Sequence, residues 1–564
     1  MNSPTVMQPR KLNKNAANQP VIAAVGQRDK LGRPRGAFWP VLGIALLGSG
    51  LLWLSFPPVG WWPLAWLAPI PWLWLVVQDK PLGRRGYFAL GLAAFVFWAA
   101  LLFGVCLAHK ALVAGWLVLS AYVALYLPLC LGMTRMLVHR FRWPLAVAAP
   151  LTWIGLEYVR AYMVTGFSLA ILSQSQTPFP LILQTADLCG AYAPCFLMLV
   201  VASATTLWLT RATMRARLMS SLAACALLAA ALAYGSYRLN EPLASDERVA
   251  RVALVQGCVD TVLDNNPNRA RDMLQHYHDF TFESLAGQSP CDLVVWPESA
   301  FAMPEYYAAD VQHLPAGFAE EDYHYSRRQF DQVLTRYAQQ LNAQQPGRTK
   351  FLVGGNTLEF QADGLQVYNT SILISPSGSI DTRYFKTHLV MFGEYIPFGE
   401  WFPFIYQVTP IQPVSRGREF QSFNVAGLTF APNICFESTV PQLFVQQAND
   451  LARQGRPADV LINTTNDGWF YGSPILDLHF QCAVLRAIEN RRPFLIAANT
   501  GVSGVIDGNG RVSQRGPNYG KQVIFADVRP DGRSSLFHTL GDWPAGFCFL
   551  VTALVSLWGW RRPL

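Results

Sequence analysis

Apolar residues follow two different rhythms along this chain. Up to about residue 237, and again near the C-terminus, they form long unbroken runs; between these, from about residue 250, they alternate with polar residues or recur at helical spacing. Runs of roughly 20 apolar residues match the hydrocarbon thickness of a bilayer. The pattern predicts spans at 38–56, 60–78, 87–108, 111–133, 143–163, 181–210 and 217–237, with an eighth at 542–560. The rhythm in between predicts a different solvent. VARVALVQG (249–257) and DLVVW (292–296) read as strands, 267–286 and 324–342 as helices, the second with Phe330, Val333, Leu334, Tyr337 and Leu341 on one face. FLVGG (351–355), YNTSILISPSG (368–378), GLTFAPNICFE (427–437), DVLINTTN (459–466), PFLIAAN (493–499) and GVIDGNG (504–510) continue the strands, with helices near 440–453 and 474–490. Strands alternating with helices define a layered α/β domain over 248–535.

Composition supports a membrane: 52% of the 564 residues are hydrophobic and 18 are tryptophan, well above a water-soluble norm. Charge then sets orientation, because Lys and Arg accumulate in cytoplasmic connections. The polar tail 1–37 carries seven: Arg10, Lys11, Lys14, Arg28, Lys30, Arg33 and Arg35. With Lys80, Arg84, Arg85, Arg135, Arg140, Arg142, Arg211, Arg215, Arg217, Arg561 and Arg562, eighteen cations fall on one side; only Lys110 and Arg160 fall on the other. Both termini are therefore expected in the cytoplasm and the α/β domain outside it. The first run follows a long polar tail and lacks a small-residue cleavage site, so it is expected to be an anchor and not a cleaved signal. Residues 1–247 carry a formal +12 and the last two arginines +2, so the chain's +8 leaves −6 for 248–560. The basic balance reflects topology, and a nucleic-acid partner is not expected.

Of ten cysteines, Cys106, Cys130, Cys189, Cys195, Cys225 and Cys548 fall in the apolar runs, where a small soft side chain packs well. Cys258, Cys291, Cys435 and Cys482 lie outside them, with no zinc-ligand spacing. A disulfide at Cys435 is open at this point, since the domain faces an oxidising compartment.

Polar clusters end three of the strands: Trp296-Pro297-Glu298-Ser299, Asn433-Ile434-Cys435-Phe436-Glu437 and Asn466-Asp467-Gly468-Trp469. In α/β sheets ligands gather outside the carboxyl ends of strands, so these clusters are expected to converge. Lys386 and Glu394, in YFKTHLVMFGEYIPF, supply a fourth. Singly, each residue has an ordinary use: Glu298 as a helix cap, Lys386 as a surface cation, Cys435 as core. Together they supply a base, a cation and a nucleophile, since a thiol must lose its proton to attack. On this reading Glu437 positions the substrate or supports the thiol from behind.

WPESAF, Lys386 within YFKTHLVMFGEYIPF, NICFES and NDGWF resemble the motifs of the carbon-nitrogen hydrolase (nitrilase) superfamily. With seven spans before and one after, residues 38–560 resemble the apolipoprotein N-acyltransferase family of that superfamily. The resemblance implies a nitrilase-like αββα sandwich outside a polytopic helical membrane domain in a bacterial inner membrane, with the sandwich in the periplasm. It implies Glu298 as base, Lys386 as the oxyanion-stabilising cation and Cys435 as nucleophile, with Glu394 and Glu437 as further required carboxylates. Asn433, Phe436, Trp401 and Trp469 are added as substrate-side candidates from the same motifs and from the aromatic stretch EWFPFIYQVTP (400–410), which reads as an interfacial arm. The implied chemistry moves an acyl chain from a phospholipid through a Cys435 thioester to the α-amine of a diacylglyceryl-cysteine, by a monomer, with neither cofactor nor metal. Two departures stand out. After LVQG this chain reads CVDTVLDNN (258–266), without the family's gating tryptophan, and the tyrosine that usually follows the cysteine is Phe436.

Two other readings compete. A membrane-tethered amidase acting on a small soluble amide would use the same triad but would not depend on lipid. A transporter or scaffold would place ionisable groups at the membrane midplane, where Glu157 and Asp187 are the candidates.

Overall fold

The computed structural model describes residues 38–561 apart from 108–111, 244–245, 261–265, 267, 309–313, 315–317, 346, 348, 363, 398, 400, 402–403, 405 and 407–411. The tail 1–37, most of the loop that lacks a tryptophan and most of the arm at 400–410 thus lie outside the described residues.

Helices occupy each apolar run. Three are long and apolar enough to cross a bilayer: Phe38–Ser55, Leu112–Arg140 (the last interrupted at Leu125) and Met214–Asn240. The expected sixth span is a bent pair, Pro180–Cys189 and Tyr192–Trp208, with 119° between its arms. The bend falls at Gly190, whose φ of +67° a side chain would resist. The second and eighth runs form shorter apolar helices, Leu64–Val77 and Trp543–Gly559. Gly83–Leu101 and Leu145–Tyr162 cover the third and fifth runs. Eight uniform spans are therefore not what the described residues display: three helices, or four with the bent pair, meet the length and composition of a crossing. Pro69 separates Leu64–Leu67 from Pro69–Val77 in the second run, whereas Leu145–Tyr162 continues through Pro150.

The second region contains β1 (Ala250–Gln256), β2 (Leu293–Val295), β3 (Glu305–Ala308), β4 (Lys350–Gln361), β5 (Gly364–Ile374) and β6 (Ile380–Phe385). It continues with β7 (Phe423–Val425), β8 (Leu428–Ile434), β9 (Val460–Thr465), β10 (Phe494–Ala498), β11 (Gly504–Ile506), β12 (Val512–Arg515) and β13 (Gln522–Val528). One sheet runs β13-β1-β2-β4-β5-β6 with β3 beside β4; the other runs β12-β11-β10-β9-β8-β7. Their inner faces share a core in which Val252, Leu254, Val295 and Leu352 meet Phe430, Ile462 and Leu495. Each such buried side chain stabilises the sandwich by about 1.5–3 kcal/mol. The first sheet's outer face packs on helices Arg269–Leu285 and Glu320–Gln344, through Phe330, Leu334, Tyr337 and Leu341 of the predicted face. Strand β13, whose QVIFADV pairs antiparallel with β1, was not expected; its polar alternation and late position hid it.

The second sheet's outer helices, Pro441–Arg453 and Ile475–Asn490, are continuous with the core of the N-terminal helices. Hydrogen bonds stitch this seam: Gln174 Nε2 donates to Leu478 O (2.6 Å), the Ala191 amide to Glu489 Oε1 (2.9 Å) and Gln442 Nε2 to Ala161 O (2.8 Å). At its centre the Asp187 carboxylate, 1% exposed, is paired with Arg238 at 2.8 Å and Arg491 at 2.5 Å, and accepts from Tyr234 OH. Arg491 also donates to Gln184 Oε1 (2.6 Å) and Asn509 Oδ1 (3.0 Å). Glu157 is paired with Arg160 at 2.5 Å. Both carboxylates on which a transport reading would rest are thus paired with arginines.

Because one partner's loss leaves a buried charge uncompensated, Arg491→Ala is expected to destabilise the protein by about 3–5 kcal/mol. The exposed pair Lys350–Asp381 gives the contrast: Lys350→Ala should change stability by less than about 1 kcal/mol. Thermal unfolding of the two variants in one detergent checks both; equal shifts would contradict the seam's role.

Candidate functional site

Strands β1, β2 and β4 are mutually parallel, as are β8, β9 and β10, so their carboxyl ends present polar residues at one end of the sandwich. Glu298 sits just past β2 on the Trp296-Pro297 turn, 7% exposed. Gly354 in β4 makes room for that turn: a Cβ there would lie 2.5 Å from the Glu298 Cα. Glu298 Oε1 accepts from Asn369 Nδ2 (2.6 Å) and faces Lys386 Nζ at 3.3 Å, while Oε2 accepts from the Asn466 amide (2.8 Å).

Lys386 follows β6 and is 1% exposed, with its amide bound to Asn369 O (2.9 Å). Its Nζ lies 2.8 Å from Glu394 Oε1, so the cation is shared between two carboxylates. Asn369 Nδ2 also donates to Glu394 Oε1 (3.0 Å), and the Val390 amide to Glu394 Oε2 (2.8 Å). Burial by itself lowers a lysine, but Glu298 and Glu394 prevail and hold Lys386 well above the ordinary lysine range. Burial likewise raises Glu394, yet Lys386 and the Val390 amide bring it below the usual carboxylate value.

Cys435 ends β8 at φ +51°, left-handed for a residue with a Cβ, and opens the short helix Cys435–Thr439. Such a conformation costs on the order of 1–3 kcal/mol and persists only where neighbours enforce it. Glu437 is the enforcer. Fully buried, it accepts from the amides of Ile434 (2.7 Å), Thr387 (2.7 Å) and His388 (2.9 Å) and from the hydroxyls of Tyr384 (3.0 Å) and Thr387 (2.9 Å). It therefore ties the Cys435 turn to the Lys386 turn. Thr465 hydrogen-bonds the sulfur; burial and then Glu298 push the thiol well above its ordinary value, with Lys386 pulling the other way. At rest Cys435 is a thiol, and ionising it requires a proton acceptor. All ten cysteines are free, so the disulfide reading of Cys435 is corrected: nothing lies close enough to pair with it.

The remaining expected residues divide. Asn433 is buried and accepts from Asn463 Nδ2 (2.6 Å), so it braces adjacent strand ends, while its own Nδ2 has no partner among the described residues. Phe436 is half-buried and stacks on His388 with ring centres 6.2 Å apart. Trp469 is half-buried in the turn Gly468–Phe470, which packs against Phe103–Leu107 of the helical region. Contact there is close: a Cβ on Gly104 would meet Ser473 Oγ at 2.0 Å. Trp401 is 74% exposed. Sequence reasoning missed Asn369, which like Lys386 touches both carboxylates; a lone amide inside the apolar run YNTSILI was the available signal. It also missed Asp467 with His479, twelve residues apart in sequence.

A base, a shared cation and a thiol at strand ends of a two-sheet α/β sandwich define a carbon-nitrogen hydrolase superfamily protein, and the carbon-nitrogen hydrolase family matches residues 251–536. The apolipoprotein N-acyltransferase N-terminal domain matches residues 48–204. The chain is 30% identical over 551 residues to the apolipoprotein N-acyltransferase of Rhodopirellula baltica, covering 90% of this chain and 95% of that one. It is 31% identical over 537 residues to that of Geobacter metallireducens, covering 92% and 95%. The chain belongs to the apolipoprotein N-acyltransferase family and is an N-acyltransferase. Among solved structures it is similar to Nit3 of Saccharomyces cerevisiae, at 18% identity and TM-score 0.35 over 53% of this chain and 95% of that one. A second is a CN-hydrolase superfamily protein of Xanthomonas campestris, at 21% identity and TM-score 0.33 over 53% and 96%.

His388 gives a pH test of the site's packing. Burial drives its imidazole down to about 4, and its Nε2 finds no hydrogen-bond partner among the described residues. Between pH 6.5 and about 4 the unfolded chain binds a proton that the folded one refuses, so stability falls as pH falls through that window. His388→Gln should flatten the fall by about 1–2 kcal/mol. Melting temperatures of both proteins from pH 7 to 4.5 check it, and parallel curves would refute it.

Proposed function

We propose that this protein transfers an acyl chain from a membrane phospholipid to the N-terminal α-amine of a diacylglyceryl-cysteine in apolipoproteins. The observation that carries the reading is the convergence of Glu298, Lys386, Glu394 and Asn369 beside Cys435, at the sandwich end that abuts the turns 103–107 and 161–167 of the helical region. A soluble amidase has no need for such a seam.

In the first half-reaction the Cys435 sulfur attacks the ester carbonyl as its proton passes to Glu298, and the developing oxyanion forms next to Lys386 Nζ. Collapse breaks the ester C–O bond, and Glu298 returns the proton to the departing lysophospholipid oxygen. In the second, the acceptor amine attacks the thioester carbonyl, Glu298 takes the ammonium proton, and as the C–S bond breaks Glu298 passes that proton to the departing sulfur, regenerating thiol and carboxylate. Lys386 stays cationic because two carboxylates surround it; Glu394 with Asn369 keeps Glu298 and Lys386 in register. Two acyl transfers through one sulfur give ping-pong kinetics. The sandwich lies in the periplasm, both termini in the cytoplasm of a multi-pass inner-membrane protein, and Trp401 with its aromatic segment meets the headgroup level.

Incubation with phospholipid labelled in its acyl chain tests the chemistry. Glu298→Gln and Lys386→Ala should each lose at least about a hundredfold in acyl-enzyme formation, and Cys435→Ala should carry no hydroxylamine-sensitive label. Label persisting on Cys435→Ala moves the nucleophile elsewhere, and turnover of a small amide at full rate without lipid favours the amidase.

Topology has its own test. In a cysteine-free background, a cysteine placed at residue 365 should react with an impermeant maleimide in spheroplasts, whereas cysteines at 82 and 213 should react only after lysis. Reaction at 82 or 213 in sealed spheroplasts inverts the orientation.

A further inference from the structure

His479, on helix Ile475–Asn490, lies under the Cys435 turn without belonging to the triad. Its Nδ1 meets Asp467 Oδ1 at 3.0 Å and Oδ2 at 3.1 Å; its Nε2 meets Ser438 Oγ at 2.7 Å and the carbonyl oxygen of Cys435 at 3.1 Å. A carboxylate and a backbone carbonyl can only accept. The Ser438 hydroxyl has the Cys435 carbonyl as its own acceptor at 3.1 Å, which leaves its oxygen free to accept from the ring. Both ring nitrogens therefore carry hydrogen, and the imidazole is a cation locked to Asp467.

We propose that His479 is a positioning residue for the acyl transfer: it pins the left-handed Cys435 turn through the backbone carbonyl and cancels the negative charge of Asp467, which otherwise opposes the thiolate. The inference rests on the reading of Cys435 as nucleophile. Burial works against a charged His479, but Asp467 and the Cys435 carbonyl outweigh it and raise the imidazole above its ordinary value. Asp467 acts on the sulfur in the unfavourable direction, as Glu298 does. Glu298 must be negative to serve as base, whereas Asp467 has no proton to take and only opposes ionisation. The other charges near the ring are already matched: Lys386 between Glu298 and Glu394, Glu437 by its donors, Asp477 by Arg515, and Glu489 by Arg486. Only His479 answers Asp467 with a full charge among the described residues, since Thr465 Oγ1 lies 3.4 Å away and is neutral.

The test is the rate at which iodoacetamide alkylates Cys435 in the full-length protein in detergent, read by mass spectrometry of its peptide from pH 6 to 10. This measurement needs no lipid, so it stands even if acyl label on Cys435→Ala were to overturn the catalytic reading. His479→Gln keeps an N–H for the carbonyl but removes the charge; it should move the profile to higher pH by about one unit, a roughly tenfold slower reaction below the midpoint. Adding Asp467→Asn to His479→Gln should restore the rate to within about threefold of wild type. A merely structural histidine predicts that the double variant is as slow as the single one or slower, and that result, or an unshifted His479→Gln profile, overturns the proposal. If His479→Gln fails to fold, Asp467→Asn alone decides: alkylation at or above the wild-type rate supports the proposal and slower alkylation refutes it.

Discussion

The pairing of Asp187 with Arg491 is the constraint on which the rest of the structure depends. Asp187 belongs to the bent part of the expected sixth span and Arg491 ends the helix that runs beneath β9 and β10, so one ion pair joins the apolar region to the sandwich. Taking both groups out of water is costly, and a shared set of partners offsets the cost: Arg238, Tyr234, Gln184 and Asn509 complete the cluster. A cluster with so many partners has one geometry. It fixes which end of the sandwich meets the turns 103–107 and 161–167, and that end carries the strand termini with Glu298, Lys386 and Cys435.

At those termini the same physics appears on a smaller scale. Two carboxylates around one buried lysine leave the local charge negative, which disfavours a thiolate beside them. Under the proposed transfer the arrangement suits a thiol that stays protonated until an ester carbonyl arrives, because proton transfer to Glu298 would then neutralise one carboxylate as negative charge appears on the substrate oxygen. A resting thiolate is the form open to oxidation, and the protonated thiol is the less reactive one. Strain at Cys435 and the bonds of Glu437 belong to this arrangement, since a turn held from behind leaves the sulfur's front open.

Much of this was legible in the sequence. Both rhythms, the strand ends and the residues Glu298, Lys386, Cys435 and Glu394 could be read because periodicity reports burial and because polar clusters after apolar strands are conspicuous. What escaped has physical reasons. Strand β13 pairs with β1 across more than 260 residues, and a pairing of that range leaves no local mark. Breaks in the apolar helices depend on tertiary contacts that replace lost backbone hydrogen bonds, so composition alone drew them as straight spans. Asn433 looked like a substrate contact because it sits two residues before the cysteine, but in a strand such a neighbour points to the same side and can equally serve the adjacent strand, as it does through Asn463.

Glu437 shows why proximity in sequence misleads about chemistry. Two residues from the cysteine, it invites a role on substrate, yet every donor it holds comes from protein. A carboxylate with that many fixed donors has no lone pair left for an incoming lipid, and moving it would release the Cys435 turn and the Lys386 turn together. Glu394 and Glu298, both farther away in sequence, are the carboxylates that touch the lysine. Which side chains meet at the cysteine is thus set by which strand ends the two sheets bring side by side, and the seam at Asp187 ties the sandwich to the apolar helices.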